Sequence, residues 1–357
     1  MRFLPHSSAW LALALPLAVC PPAGGVAGPW VENTEARARL NGDATGLGLE
    51  FELQPGWHVY WKNSGDAGYP PRIDFARTPA LAGAVLLFPA PQRYDLPGGL
   101  VSFGYEKHVI YPIAPITPIP PITPIAARPA TGGDEKPPAV LARLDYLVCR
   151  TECIPHTAEL SLDLGATGEA PGAEAAATAA RLAAAREALP RDPASVAGAP
   201  QVSVRAEPGP ASSLVLVFQA TGGSLRAAGT DLFFEVHPFF ALERPELSLA
   251  DDGLVFRVPF RPLDETRPMP ATTSFAWTLT GLERTLSNAD SARRDGSDGG
   301  EPFEVALAGS ASVAIPHLRT SDTLPTAGLR PGLVLPLLVA GVFLLLFALH
   351  RFRHRRS

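Results

Sequence analysis

Two cysteines, Cys149 and Cys153, stand in the stretch DYLVCRTECIPHTAEL (Asp145 to Leu160), and His156 follows close behind them. Thiols at this spacing serve three chemistries. They form an inert cross-strand staple, they open and close as a dithiol/disulfide couple, or, joined by histidine, they clip a soft metal such as Cu(I) or Zn(II). A staple of this length adds little, because closing a loop of about five residues is worth only ~2 kcal/mol in the chain-entropy account. Exchange needs a reachable pair and a partly ionised attacking thiol. Arg150 favours the thiolate and Glu152 opposes it, while a strand setting brings no helix N-terminus to help. His156 is a candidate for proton transfer at the pair, or else a polar residue at the start of a strand. A metal set would combine Cys149, Cys153 and His156 with His58 or His108. No further Cys, Met or His cluster lies nearby in sequence, and Met1 and Met269 are the only methionines, so no metal site is assigned. On the residues alone, the three chemistries stay open.

The flanking segments indicate how the pair is held. LARLDYLV before it and HTAELSLDL after it alternate apolar and polar residues. This predicts a β-hairpin whose turn is flanked by Cys149 and Cys153, where paired strands bring α-carbons within disulfide reach. The hairpin closes a first module, residues 30–165, built from short strands in GLGLEFELQPGWHVYW, AVLLFPA, KHVIYPI, AVLARLDYLV and TAELSLDL. Inside it, PIAPITPIPPITPI is expected to leave the sheet as a polyproline-like excursion, since proline cannot donate to a central ladder. An Ala-rich helix over Glu174 to Leu189, stopped by Pro190, lies in a linker of residues 166–199. A second module, residues 200–316, repeats the β patterning in SLVLVFQA, DLFFEVH, GLVFRVPF and TSFAWTLT, with a long polar loop at SNADSARRDGSDGGEP. Phe233, Phe234, Phe239, Phe240 and Trp277 are expected in its core and inter-sheet packing. The predicted fold is mainly β: two immunoglobulin-like sandwiches joined by an Ala-rich helix, with a single C-terminal transmembrane helix.

The ends of the chain are read as addresses. Residues 1–27 have the form of a signal peptide, with Arg2, the apolar run WLALALPLAVC and small residues suited to cleavage, so Cys20 is expected to leave with it. After a linker of residues 317–330, the segment 331–350 is apolar from Leu333 to Leu349, enough with its flanks to span a bilayer. Arg351, Arg353, Arg355 and Arg356 come at once in a basic tail, residues 351–357, which marks the cytoplasmic side. The body is therefore expected on the periplasmic face of a bacterial inner membrane, where two thiols rest as a disulfide. The net charge of -5 decides little; basic residues cluster only at the membrane end, and nothing points to nucleic acid. Phosphate loops, HExxH zinc helices and GxSxG nucleophile elbows do not occur.

Three stretches carry a family resemblance: PGWHVYWKNSGDAGYPP (Pro55 to Pro71), FPAPQRYDLPGGLVSFGYEKHVIYP (Phe88 to Pro112) and LDYLVCRTECIPHTAELSL (Leu144 to Leu162). They resemble the N-terminal periplasmic (alpha) domain of the thiol:disulfide interchange protein DsbD, and more closely the amino-terminal region of its ScsB-type relatives. The second module and the Ala-rich connector also resemble the region after that domain in ScsB-type proteins. The resemblance implies an immunoglobulin-like domain in which Cys149 and Cys153 are the redox couple of a protein-disulfide reductase system. Electrons would come from a membrane-embedded or thioredoxin-like donor and go to oxidised periplasmic thiol proteins, without a cofactor. It further implies a cap loop with an aromatic side chain over the pair. GLVSFGYEKH occupies the comparable place, which makes Phe103 and Tyr105 the cap candidates, with core aromatics of a strand as their other reading. In contrast to DsbD-type reductases, the expected span here has no cysteine, so a separate protein must reduce the pair. The alternatives are a Cu(I)-binding or copper-tolerance protein and a scaffold with an inert disulfide.

Overall fold

The computed structural model describes residues 24–114, 139–164, 172–210, 213–222, 229–251, 253–284 and 303–316. The signal-like start, most of the proline-rich stretch, the polar loop of the second module and the apolar run near the C-terminus lie outside them. Among the described residues, no helix is long and apolar enough to cross a membrane.

The first module holds β1 (Val26–Ala27), β2 (Val31–Glu32), β3 (Ala36–Asp43), β4 (Gly46–Leu53), β5 (His58–Gly65), β6 (Arg72–Asp74), β7 (Val85–Leu86), β8 (Gln92–Asp95), β9 (Val101–Glu106), β10 (His108–Ala114), β11 (Ala139–Cys149) and β12 (Cys153–Asp163). They form two antiparallel sheets. One runs β1-β3-β4-β10-β7 with β2 also on β3, and the other β12-β11-β5-β9-β8 with β6 also on β11. Apolar residues at every second position face inward, where Phe51, Trp61, Tyr111, Tyr146, Leu40 and Leu49 are fully buried between the sheets. The Pro55-Gly56 turn carries the chain from the first sheet (β4) to the second (β5) and is closed by a Trp57 N–H to Gln54 carbonyl bond of 3.0 Å.

The start of the proline-rich stretch departs from expectation. Pro112 and Ile113 are paired inside the first sheet, opposite Gly48 and Leu47. The N–H and C=O of a strand residue point to the same side, and for Pro112 that side is toward β7. There only its carbonyl is engaged, accepting from Leu87 N–H at 2.7 Å, so the missing donor breaks no ladder bond.

Helix α1 (Ala173–Glu187) does more than connect. It lies on the outer face of the first sheet, with Leu182 and Thr178 buried beneath it and Gly25 N–H donating to Ala175 carbonyl at 2.9 Å. Polar groups are also covered by this packing. Glu50, 1% exposed, accepts from Arg39 Nε and Asn41 Nδ2, both at 2.6 Å, and is bonded to His108 Nε2 at 2.8 Å, while Arg181 Nε of the helix approaches at 3.2 Å. Arg186 clamps Asp43 through two bonds of 2.8 and 3.0 Å. Burial alone would push the Glu50 carboxyl up, but the bonds from His108, Asn41 and Arg39 outweigh it and hold its pKa at about 2.

The second module holds β13 (Gln201–Pro208), β14 (Leu214–Thr221), β15 (Asp231–Phe234), β16 (Phe240–Leu242), β17 (Glu246–Ala250), β18 (Gly253–Pro262), β19 (Thr272–Arg284) and β20 (Phe303–Ala314). One sheet runs β13-β14-β18-β16 with β17 also on β18, and a smaller one runs β15-β19-β20. Phe234, Phe240 and Trp277 join Phe218, Phe256 and Phe275 in their shared core, and Phe239 packs at its edge.

Phe233 behaves differently: it belongs to the core of the first module. Its ring meets Trp61 edge-on at 6.0 Å and Phe103 at 5.3 Å. Beside it, Arg93 makes a two-pronged bond to Asp231 at 2.8 and 3.0 Å, and Asn63 Nδ2 donates to Phe234 carbonyl at 2.8 Å. Lys62 and Glu235 complete the seam.

Two outcomes are expected. The carboxyl of Glu50 is depressed in the folded state, so its contribution to stability is full above the unfolded carboxylate pKa and is lost as pH falls through the folded value of about 2. Urea unfolding across this acid range should show a loss on the order of 3 kcal/mol, and Glu50→Gln should remove that part of the pH dependence. Phe233→Ala should cost about 3 kcal/mol or more, and calorimetry should then resolve the two modules as separate transitions.

Candidate functional site

The predicted hairpin is present. β11 and β12 pair in one unbroken register from Ala139 opposite Asp163 to Cys149 opposite Cys153, and Arg150, Thr151 and Glu152 form the loop. The two cysteine α-carbons are 4.2 Å apart and the sulfurs are bonded. Directly opposed residues share a face, which is what allows the two sulfurs to bond across the strands. The two sulfurs nevertheless have unlike surroundings. Cys149 is 2% exposed, against Tyr60, Leu147 and Tyr69, whereas Cys153 is open to solvent. This asymmetry arises from strand order, because β12 is the edge of its sheet while β11 is flanked by β5.

Tyr60 reaches the disulfide itself. Its hydroxyl lies 3.4 Å from Cys153 Sγ, and since a disulfide sulfur has no proton, the tyrosine O–H donates. Burial pushes its pKa up to about 12, which keeps that proton in place at neutral pH. The ring is covered by a loop that only glycine permits. Gly68 has φ +92°, and a Cβ there would sit 2.1 Å from Tyr60 Cζ, so the backbone lies on the ring and delivers Tyr69 to the same cluster. His58 fills the next position along this face. It is directly opposite Cys149 on β5, stacked on Tyr94 at 5.0 Å, with Ser102 Oγ at 3.2 Å from Nε2. Burial lowers its pKa to about 4.

The remaining candidates fall elsewhere. Phe103 and Tyr105 lie on β9 with their side chains in the sandwich core, on the face opposite Cys149. Phe103 supports Phe233, and Tyr105 donates to Pro89 carbonyl at 2.7 Å. They are core aromatics, and Tyr60 and Tyr69 are the aromatic side chains against the disulfide. His156 is also on the other face, since three residues along a strand reverse the side-chain direction. It bonds Glu35 Oε2 at 3.1 Å and sits beside the Tyr146 ring, so it is not placed for proton transfer at the sulfurs. The metal set is dispersed for the same reason. His156 faces away, and His108 is tied to Glu50 in the other sheet. Among the described residues, no group of three or more His, Cys, Asp or Glu converges on a metal position. At the tip, Arg150 lies over the Trp57 ring at 5.1 Å.

The fold and the site together define an immunoglobulin-like sandwich carrying an accessible hairpin disulfide. Residues 29–164 match the family model described as thiol:disulfide interchange protein DsbD, N-terminal. A solved structure, the N-terminal periplasmic domain of ScsB from Proteus mirabilis, matches with a TM-score of 0.56 and 19% identity over 81% of this chain and 99% of that one. The shared fold therefore extends beyond the first module. None of the curated proteins matches the chain.

Tyr60 is expected to act on the reduced pair as well. A hydroxyl that donates to a thiolate favours it by about 1.5–3 kcal/mol, so Tyr60→Phe should raise the Cys153 thiol pKa by about one unit or more. The rate of iodoacetamide alkylation against pH measures it, and an unchanged profile would remove Tyr60 from the site.

Proposed function

We propose that this chain is a thiol:disulfide exchange module that passes reducing equivalents through the Cys149/Cys153 couple. It takes electrons from a separate membrane-embedded or thioredoxin-like donor and gives them to oxidised periplasmic proteins, as a component of a protein-disulfide reductase system. We place the body on the periplasmic face of the inner membrane, anchored by the apolar segment 331–350 with the basic tail in the cytoplasm. The observation that carries the reading is the unequal exposure of two bonded sulfurs in a domain that matches the DsbD N-terminal family. An incoming thiolate attacks the exposed Cys153, and Cys149 is the leaving sulfur, held where it can return to close the ring. A staple serving stability alone has no need of an exposed sulfur.

The test is direct. Cys149→Ala leaves the open thiol at Cys153 and should accumulate mixed disulfides with thioredoxin-like proteins and with disulfide-bonded substrates, whereas Cys153→Ala should give few. The couple in glutathione buffers should have a potential above about -300 mV. A lower value, with no adducts from either variant, would overturn exchange in favour of an inert staple.

A further inference from the structure

The sheet row at the level of the disulfide holds three reactive side chains. Cys149 on β11 stands opposite His58 on β5, and His58 stands opposite Glu106 on β9. Registered partners on neighbouring antiparallel strands share a face, with Cβ atoms about 4.5–5.5 Å apart. Thiol, imidazole and carboxylate therefore lie in one line across the sheet. The imidazole is 3% exposed and held by three neighbours: Tyr94 stacked at 5.0 Å, Tyr60 edge-on at 5.2 Å, and Ser102 Oγ at 3.2 Å.

The titratable groups facing His58 are Tyr60 on its own strand, Cys149 on β11, Glu106 on β9 and Tyr94 on β8. Burial pushes both tyrosines up, so they stay neutral O–H groups. Glu106 stands across His58 from Cys149 and supplies the carboxyl group of this row. Burial lowers the His58 pKa to about 4, so the ring is neutral near pH 7 and takes a proton only where a negative charge forms beside it.

Resting on the exchange reading of the disulfide, we propose that His58, backed by Glu106, is the proton acceptor for Cys149 when the reduced pair passes its electrons to a substrate disulfide. The reaction runs in two displacements. The Cys153 thiolate attacks a substrate sulfur, forming a mixed disulfide and releasing the first substrate thiolate. Cys149, still a thiol, must then ionise. Its cover of Tyr60, Leu147 and Tyr69 opposes ionisation and keeps water away. The proton moves from Cys149 sulfur to the His58 ring. The new thiolate attacks Cys153 Sγ, the Cys149–Cys153 bond forms and the bond from Cys153 to the substrate breaks. The departing substrate thiolate takes up the proton that the imidazolium releases. Two thiols of the protein are oxidised and one substrate disulfide is reduced. Thiolate and imidazolium arise side by side, so each offsets the cost of burying the other, and Glu106 holds the positive ring.

The experiment mixes reduced protein with excess glutathione disulfide, quenches with acid and tracks the glutathione adduct on Cys153 by mass spectrometry. His58→Phe keeps an aromatic ring on Tyr94, and Glu106→Gln keeps the shape of the positioning carboxylate. In both variants the adduct should form at the wild-type rate. Its decay should slow by about a hundredfold in His58→Phe, and in Glu106→Gln the pH profile of decay should be displaced from that of wild type. Decay that matches wild type in both variants from about pH 5 to about pH 9 overturns the proposal while leaving exchange intact. Should His58→Phe not fold, the Glu106→Gln profile decides alone, a wild-type profile overturning it. If wild type neither forms the adduct nor closes the Cys149–Cys153 bond at any glutathione ratio, exchange itself fails, and the role of His58 fails with it.

Discussion

Everything at the site depends on the register between β11 and β12. With Cys149 opposite Cys153, the positions before and after them fall inward in pairs: Val148 with Ile154 and Tyr146 with His156. A slip of either strand by one residue would turn its own sulfur into the core and its inward residues, Tyr146 on β11 or Leu160 on β12, out of it. That slip is opposed by the burial of Leu144, Tyr146, Leu160 and Leu162, and by Asn33 Nδ2, which donates to the Tyr146 hydroxyl at 2.7 Å. These interactions exceed the ~2 kcal/mol that so short a disulfide loop contributes. The hairpin thus holds the disulfide, rather than the reverse, and the bond can open without dissolving the sheet that presents it.

Strand order then makes the two sulfurs unequal. An edge strand has one neighbour, so Cys153 on β12 is uncovered, while Cys149 on β11 receives the side chains of β5. The same strand supplies both His58 and Tyr60 because residues two apart share a face. Sequence-adjacent sulfurs in one loop would have similar environments; sulfurs on an edge and an inner strand do not. This difference is what gives the exchange a direction of approach.

Much of the fold was legible in the sequence. Strands β4, β5, β11, β12, β14, β18 and β19 announce themselves by alternation, which also places the hairpin that flanks the cysteines. Strand β3, ARARLNGD, alternates as well, but the pattern misjudges its second face: Arg39 and Asn41, which alternation scores as exposed, are buried against Glu50 beneath α1. The Ala-rich helix was visible as a helix, but its seat was not: the partners of Arg181 and Arg186 are acids on strands far away in sequence. The site was half legible. Spacing finds the cysteines, but a histidine three residues away along a strand faces the wrong way, and period two alone would have said so for His156. Phe103 and Tyr105 have the composition of a cap and the parity of a core. The side chains on the face of the disulfide, Tyr60, Tyr69 and His58, come from a different segment, and the pairing of β5 with β11 brings that segment there.

Side-chain parity along β5 and β9 also explains why a second module is fastened to this one. On these strands the outward residues His58, Tyr60 and Glu106 serve the disulfide face, while the inward residues Trp61 and Phe103 receive Phe233. Arg93 stands over both the Phe103 and Phe233 rings, at 4.8 and 5.0 Å, and closes the seam on Asp231. Interiors packed at crystal-like density leave few voids into which side chains could shift, so filling the end of this core fixes the inner faces of the strands whose outer faces hold the site. A hydrogen bond to sulfur and a stacked imidazole require strands that keep their places as the bond opens and closes. The aromatic seam with the second module supplies that restraint from the side of the sheet where no chemistry occurs.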